Sequence, residues 1–86
     1  MKTLLRGKES KERLTLIISL TNIRSEEIIA MMYKIFVDGW SDEDAANMFN
    51  VPQPSINRAV KRLNEVSETI EEIKELDWSR FRKSLD

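Results

Sequence analysis

Apolar residues recur along the chain at the three- and four-residue spacing of α-helices that bury one face. In the clearest case, five apolar side chains share one helical face: Ile28, Ile29, Met32, Ile35 and Phe36. A shorter helix between Lys8 and about Leu20 has the same character, through Leu14, Ile17 and Ile18. No stretch alternates apolar and polar residues around a hairpin dipeptide, as paired strands would require. The pattern predicts an all-α protein, a small bundle of four or five helices.

Residue types at the predicted helix ends agree with this pattern. Ser25 and Ser41 precede acidic first turns, where a serine hydroxyl can accept hydrogen bonds from unpaired amides and carboxylates favour the positive end of the helix dipole. Gly39 and Asn50 follow two of the helices and are residue types that tolerate a left-handed backbone. In the short helix after Ser41, the residues predicted to point inward are Ala45, Met48 and Phe49. We also expect the methionines at 31, 32 and 48 to fill gaps in the core.

The final helix begins in the Pro-Gln-Pro segment, because proline fits the first turn of a helix. Its predicted inner face comprises Ile56, Ala59, Val60 and Leu63, and the apolar stripe continues through Val66, Ile70 and Ile73. An unbroken helix from Gln53 to Leu76 would be about 36 Å long. Thr69 with Glu72 matches the signature of a new helix start. Two alternatives follow: a break near residues 67–69, or a straight helix that reaches a partner.

Composition excludes several classes of function. The 86 residues include no cysteine and no histidine, which removes disulfides, thiolate metal sites and the commonest general base. The acidic pairs Glu71-Glu72 and Asp42 with Asp44 are expected to be solvated, and no glycine-rich phosphate loop occurs. We therefore expect no enzyme, no metal and no cofactor. The longest apolar run, residues 28–33, has six residues, whereas a membrane span needs about 20. No signal peptide is evident, so we expect a cytoplasmic protein without a membrane partner.

The net charge of −1 hides alternating blocks of charge along the chain. Residues 1–24, 52–63 and 78–86 are basic on balance, whereas residues 25–51 and 64–77 carry six acidic residues each. The block at 52–63 contains three basic residues and no acidic residue. Because binding to nucleic acid depends on where positive charge lies on the surface, the acidic isoelectric point does not exclude it.

Residues 41–63 have the pattern of a helix-turn-helix, in which two helices cross at a steep angle through a tight turn. Ala45 and Ala46 provide the small side chains that the crossing needs, and Val51 fills the gap behind a turn at Asn50. We predict residues 41–49 as the positioning helix and residues 53–63 as the recognition helix. Amide side chains can pair with adenine and arginine with guanine, while basic residues further along meet phosphates. The predicted DNA-binding residues are Gln53, Pro54, Ser55, Asn57, Arg58, Lys61 and Arg62. The alternative is an ordinary helical hairpin with a solvated face.

Several segments occur together in a fixed order between residues 16 and 66. They are Leu-Ile-Ile-Ser-Leu-Thr-Asn-Ile-Arg-Ser-Glu at 16–26, Ala30-Met31, Phe-Val-Asp-Gly-Trp-Ser at 36–41, and Val51, Ile56, Arg62 and Leu63. In these residues the chain resembles the PapB-like adhesin-biosynthesis regulators of enteric bacteria. The resemblance implies a cytoplasmic transcription factor of fimbrial operons that binds DNA as an oligomer, often at A·T-rich repeats. Pro-Gln-Pro-Ser stands where these regulators usually carry an Asn-Gly-aromatic segment. The resemblance therefore does not define the DNA sequence that this chain reads or the DNA groove that it uses.

These patterns predict one domain in three parts. Residues 1–24 form an N-terminal arm with a short amphipathic helix, residues 25–66 the DNA-binding core, and residues 67–86 a C-terminal helix with a basic-aromatic tail. We expect a sequence-specific transcriptional regulator that binds double-stranded DNA as a homo-oligomer. The surface for self-association is either the stripe from Leu63 to Ile73 or residues 14–20, unless the stripe folds back and completes a monomeric core. The competing hypothesis is a helical adaptor that binds another protein without reading DNA.

Overall fold

The computed structural model describes residues 4–85 and contains four α-helices in that part of the chain. They are α1 (Lys11–Ser19), α2 (Glu26–Phe36), α3 (Asp42–Phe49) and α4 (Gln53–Leu85). Residues 4–85 include no strand, so the predicted all-α class is confirmed. The first helix begins at Lys11, three residues later than the spacing predicts, because Ser10 caps it.

A serine hydroxyl caps the first turn of each of the three shorter helices. Ser25 accepts a backbone N–H of α2 at 3.3 Å, and Ser41 accepts one of α3 at 3.1 Å, as predicted. Ser10 does the same for α1 at 3.1 Å. Each cap satisfies an amide that has no partner inside its helix and contributes about 1 kcal/mol to helix stability. Three separate helix starts are therefore fixed by local sequence.

The hydrophobic core lies between α1, α2 and the first half of α4. Eight large side chains are completely buried there: Leu14, Ile17, Met31, Met32, Ile35, Phe36, Ile56 and Leu63. The predicted core positions in the middle and at the end of α2 are confirmed, and the adjacent methionines at 31 and 32 are core residues as expected. Ile28 and Ile29 are only partly buried, because they lie in the first turns of α2 near the edge of the bundle.

The prediction that Met48 points inward is wrong. Its side chain is 61% exposed. The residues of α3 that face the core are Ala45, Ala46 and Phe49. Since successive residues turn by about 100° around a helix, Met48 projects well to one side of the direction that Ala45, Ala46 and Phe49 share. A helix of only eight residues has one narrow inner face, and Met48 lies outside it.

A segment ahead of α1 packs against the core, which the sequence pattern does not predict. Leu4 is buried, and its N–H donates to Oδ1 of Asn64 on α4 at 3.0 Å. The N–H of Gly7 donates to the carbonyl of Ile35 at 3.1 Å. Gly7 has a φ of +73°, and a Cβ there would lie 3.0 Å from the Cα of Gly39. The close approach of the two backbones therefore requires glycine at position 7.

The helix α4 runs for 33 residues without a break, so the alternative of a break near residues 67–69 is wrong. Thr69 does not cap a new helix; its hydroxyl donates to the carbonyl of Glu65 one turn earlier. Val66 is the last apolar residue of the stripe that is buried, and Ile70 is partly buried. Ile73 is 53% exposed. The first half of the stripe is thus part of the core, and the second half lies outside it. Because α4 continues beyond the core, the molecule extends 55 Å along its longest axis.

Among the described residues, no helix combines the length and the apolar character that crossing a membrane requires. The helix α4 does not meet the requirement because its outer half is rich in charged residues.

Candidate nucleic-acid interface

The turn between α3 and α4 sets the direction in which α4 leaves the core. Asn50 adopts the predicted left-handed backbone, with φ 53° and ψ 48°. The N–H of Val51 donates to the carbonyl of Ala46 at 3.2 Å, and the Val51 side chain packs against the core. The carbonyl of Pro52 then accepts the N–H of Ser55 at 3.0 Å, which closes the first turn of α4. Backbone hydrogen bonds thus hold both sides of the turn.

Small side chains allow α3 to pack closely against its neighbours. Ala45 is completely buried and Ala46 is partly buried, as the sequence predicts for a close crossing of helices. The helix α3 contacts both α2 and α4. A larger side chain at position 45 would push α3 away from them, because interior packing leaves no free volume. The short helix therefore serves as a rigid support for the start of α4.

The first three turns of α4 have one buried and one exposed face. Ile56 and Leu63 are completely buried and Ala59 is 6% exposed, so this part of the helix is anchored in the core. Six of the seven predicted DNA-binding residues lie on the exposed side: Gln53, Pro54, Asn57, Arg58, Lys61 and Arg62. The seventh, Ser55, is half-buried. One turn after another, α4 thus presents amide, hydroxyl and basic groups to the outside.

Two hydrogen bonds order the polar side chains of this face. Nε2 of Gln53 donates to Oδ1 of Asn57 at 3.1 Å, one helical turn further along. Nη2 of Arg58 donates to the hydroxyl of Ser55 at 3.2 Å. Each amide and guanidinium keeps further donors for an outside partner. The two contacts restrict the side chains without using up their hydrogen-bonding capacity, which lowers the entropy lost when a ligand binds.

Positive charge dominates the exposed face at the start of α4. The first turn contains no acidic residue. Arg62 pairs with Glu65 at 3.5 Å, and both side chains are about half exposed, so water competes with this pair and it contributes little. Lys61 forms no ion pair among the residues that the structure describes. Arg58, Lys61 and Arg62 are therefore available to an anionic partner.

The N-terminal segment neutralises part of the acidic first turn of α3, a feature that sequence reasoning missed. The guanidinium of Arg6 forms an ion pair with Asp42, and it lies 5.6 Å from the centre of the Phe36 ring. Arg6 also lines the same surface groove as Asn57 and Lys61. The basic charge of residues 1–24 gave a hint of this role, but 36 residues separate the two partners of the ion pair in sequence. Only the docking of the segment brings them together.

Within residues 4–85, no group of three or more histidine, cysteine, aspartate or glutamate side chains is arranged to hold a metal ion. The arrangement at the start of α4 instead offers hydrogen-bond donors and positive charge along the exposed face of a helix. Such a row of side chains suits an extended anionic partner.

Comparisons with known proteins decide the family. The family model described as "adhesin biosynthesis transcription regulatory protein", PapB, matches residues 1–76. The chain belongs to the PapB family. It is thus a transcription regulatory protein and not an enzyme, as predicted. No curated protein matches the chain at a significant level.

The fold of this PapB-family protein is also found in a solved structure. The crystal structure of FocB from E. coli superposes with a TM-score of 0.80 at 22% sequence identity. The match covers 86% of this chain and 84% of FocB. At this identity the comparison shows the shared all-α fold, which agrees with the predicted class.

Proposed function

We propose that this PapB-family regulator binds double-stranded DNA sequence-specifically, with α3 as positioning helix and residues 53–63 of α4 as recognition helix. The observation that carries the proposal is the start of α4, which is anchored by buried residues and exposes an acid-free row of amide and basic side chains. The tight turn at Asn50 supports it, since it joins two helices packed on a common core.

The family supports a more specific role. A member of an adhesin biosynthesis regulatory family acts on fimbrial or adhesin operons, and we assign this chain the same task. Regulation of an operon takes place in the cytoplasm, where the DNA lies. The family resemblance also favours A·T-rich repeats as binding sites, and the amides of Gln53 and Asn57 have the groups that pair with adenine.

The residues of the recognition helix divide into two roles. Gln53, Asn57 and Arg58 lie in its first two turns, the part that enters the groove in helix-turn-helix proteins, and we assign them to base edges. Lys61 and Arg62 lie one turn further along, and we assign them to phosphates. Pro54 and Ser55 contribute surface contact, and Ser55 also holds Arg58 in place.

The assignment of Arg58 predicts a loss of specificity in Arg58→Ala. A guanidinium that pairs with a base contributes about 1–3 kcal/mol of discrimination, so affinity for the preferred site should fall by roughly 5- to 150-fold. Affinity for random DNA should fall less. Competition titrations of both duplexes with wild-type and variant protein measure the difference.

A matched control is Lys74→Ala, which removes one positive charge from α4 about two helical turns beyond Val66, the last buried apolar residue. It should leave the ratio of specific to random affinity unchanged. If Arg58→Ala weakens both duplexes by the same factor, Arg58 contacts only phosphate. Failure of the wild type to bind any duplex at low salt would favour the adaptor hypothesis instead.

We further propose that the regulator self-associates through the outer half of α4. Every residue from 72 to 82 is exposed, including four large apolar side chains: Ile73, Leu76, Trp78 and Phe81. The rings of Trp78 and Phe81 stack with their centres 5.6 Å apart. A helical segment of about 12 residues has little stability in water without packing. Two antiparallel copies would also place the acidic block at 64–77 against the basic segment at 78–82 of the other copy.

The test of self-association is Ile73→Lys, measured by sedimentation velocity over a range of concentrations. Ile73 is exposed in one copy, so the variant should stay folded and sediment as a monomer where the wild type forms a larger species. Asn47→Lys adds the same charge at an exposed position of α3, away from the outer half of α4, and should keep the wild-type assembly. A wild type that remains monomeric at high micromolar concentration would contradict the proposal.

A further inference from the structure

A groove runs along one side of the recognition helix, between the start of α4 and the loop that precedes α2. Its polar lining includes Arg24 and Glu27 from the α2 side, and Ser55 and Arg58 from α4. The floor is apolar, formed by Ile23, Ile28, Phe49, Val51 and Ala59. Two arginines from distant parts of the sequence thus border one groove, and one of them belongs to the predicted DNA-binding set.

Arg24 is held in position by its own loop. Its Nη1 donates to the carbonyls of Thr21 and Ile23, at 3.1 Å each. Thr21 is buried, and its hydroxyl donates to the carbonyl of Ile18 and accepts the N–H of Ile23, which makes the loop rigid. Arg24 remains exposed, and its Nε–H and Nη2 donors are not engaged by these two bonds. The guanidinium is therefore fixed but has donors left for a partner.

Three other basic residues of the N-terminal part face different surroundings. Arg13 is bound by Glu9 and Glu71, at 3.0 and 2.9 Å. Arg6 is paired with Asp42. Lys11 lines a groove between α1 and α2 that includes no residue of α4. Arg24 alone among these four shares its groove with Arg58.

We propose that Arg24 is a further DNA-contacting residue, which binds the phosphate backbone of the strand that passes the Ser55 and Arg58 side of α4. The proposal rests on the proposed function. A planar guanidinium suits a phosphate, because two parallel N–H donors can meet two phosphate oxygens. Its position beside the recognition helix, and not on it, is typical of contacts that fix the register of a protein on the duplex without reading bases.

The same groove contains a charge of the opposite sign. Glu27 lines the groove, and its carboxylate accepts a hydrogen bond from the hydroxyl of Ser25 at 3.1 Å. Glu26, the preceding residue, is also exposed in the first turn of α2 but does not line the groove. If a phosphate enters the groove, Glu27 opposes it and Glu26 has a much smaller effect. The two neighbours thus form a matched pair of probes for phosphate in the groove.

The first experiment measures the salt dependence of binding to a short mixed-sequence DNA duplex for Arg24→Gln, Arg24→Lys and Lys11→Gln. Loss of one phosphate contact should lower the slope of log affinity against log salt by about 1 and the affinity at 0.1 M salt by about tenfold. Arg24→Lys retains the charge and should restore most of the slope. Lys11→Gln removes a charge away from the groove and should change affinity less than about twofold. Equal slopes for Arg24→Gln and Lys11→Gln would overturn the proposal.

The second experiment compares Glu27→Gln with Glu26→Gln, neither of which removes a basic residue or a core side chain. Glu27→Gln should tighten binding about threefold or more, and Glu26→Gln clearly less. If Arg24→Gln lowers the melting temperature, its weaker binding could reflect lost stability, and the comparison of Glu27→Gln with Glu26→Gln then tests whether a phosphate lies in the groove. If the wild type binds DNA and the two substitutions change its affinity equally, the assignment of Arg24 to a phosphate is overturned. Absence of binding by the wild type itself would overturn the proposed function, so the two failures can be told apart.

Discussion

Leu63→Ala should lower the free energy of unfolding by about 2–5 kcal/mol, the usual cost of a large cavity in a core. Leu63 is completely buried at the point where the candidate interface of α4 joins the core. A small domain has a total stability of only about 5–15 kcal/mol, so this loss is a large fraction of it. Urea denaturation followed by helical circular dichroism measures the effect, and the midpoint should fall with little change in slope.

Met48→Ala is the matched control for this prediction. Met48 also belongs to a helix next to the turn, but its side chain is 61% exposed. Its removal should change the free energy of unfolding by no more than about 0.5 kcal/mol, as is usual for surface positions. Equal losses in the two variants would mean that Met48 is buried as the sequence pattern suggested. A loss below about 1 kcal/mol for Leu63→Ala would mean that α4 is not anchored there.

The features that sequence predicts well in this chain are those that a few neighbouring residues determine. Ser25 and Ser41 cap helices because a hydroxyl reaches an amide three residues later. Asn50 takes the left-handed turn because its own side chain tolerates that backbone. The spacing of apolar residues in α2 likewise identifies its buried face. For the candidate interface, the same spacing separates the inner residue Ile56 from the outer residue Arg58.

The features that sequence missed depend on contacts between distant residues. Leu4 and Asn64 are 60 positions apart, and no local pattern announces their hydrogen bond. The choice between a broken and a straight α4 was open because Thr69 suits both a helix start and a hydroxyl bonded to the preceding turn. Arg24 stood outside the predicted set because its place beside Arg58 exists only after α2 has packed near α4.

The combined substitution Lys61→Ala with Arg62→Ala should weaken binding to all DNA sequences by roughly a hundredfold at 0.1 M salt. Each lost phosphate contact lowers the slope of log affinity against log salt by about 1, so the pair should lower it by about 2. Both side chains are exposed, and the only ion pair between them and the described residues is the weak one from Arg62 to Glu65. The melting temperature should therefore change little, and the ratio of specific to random affinity should be retained.

The control for this pair is Lys34→Ala with Lys74→Ala, which removes the same total charge. Lys74 pairs with Glu71 at 3.5 Å, with the same distance and three-residue spacing as Arg62 and Glu65. Lys34 lines a groove between α1 and α2 that includes no residue of α4. If net charge alone drives binding, the two double variants should weaken it equally. A much larger loss for positions 61 and 62 would assign the effect to the start of α4. Unchanged affinity at low salt without Lys61 and Arg62 would rule out this surface as the DNA-binding face.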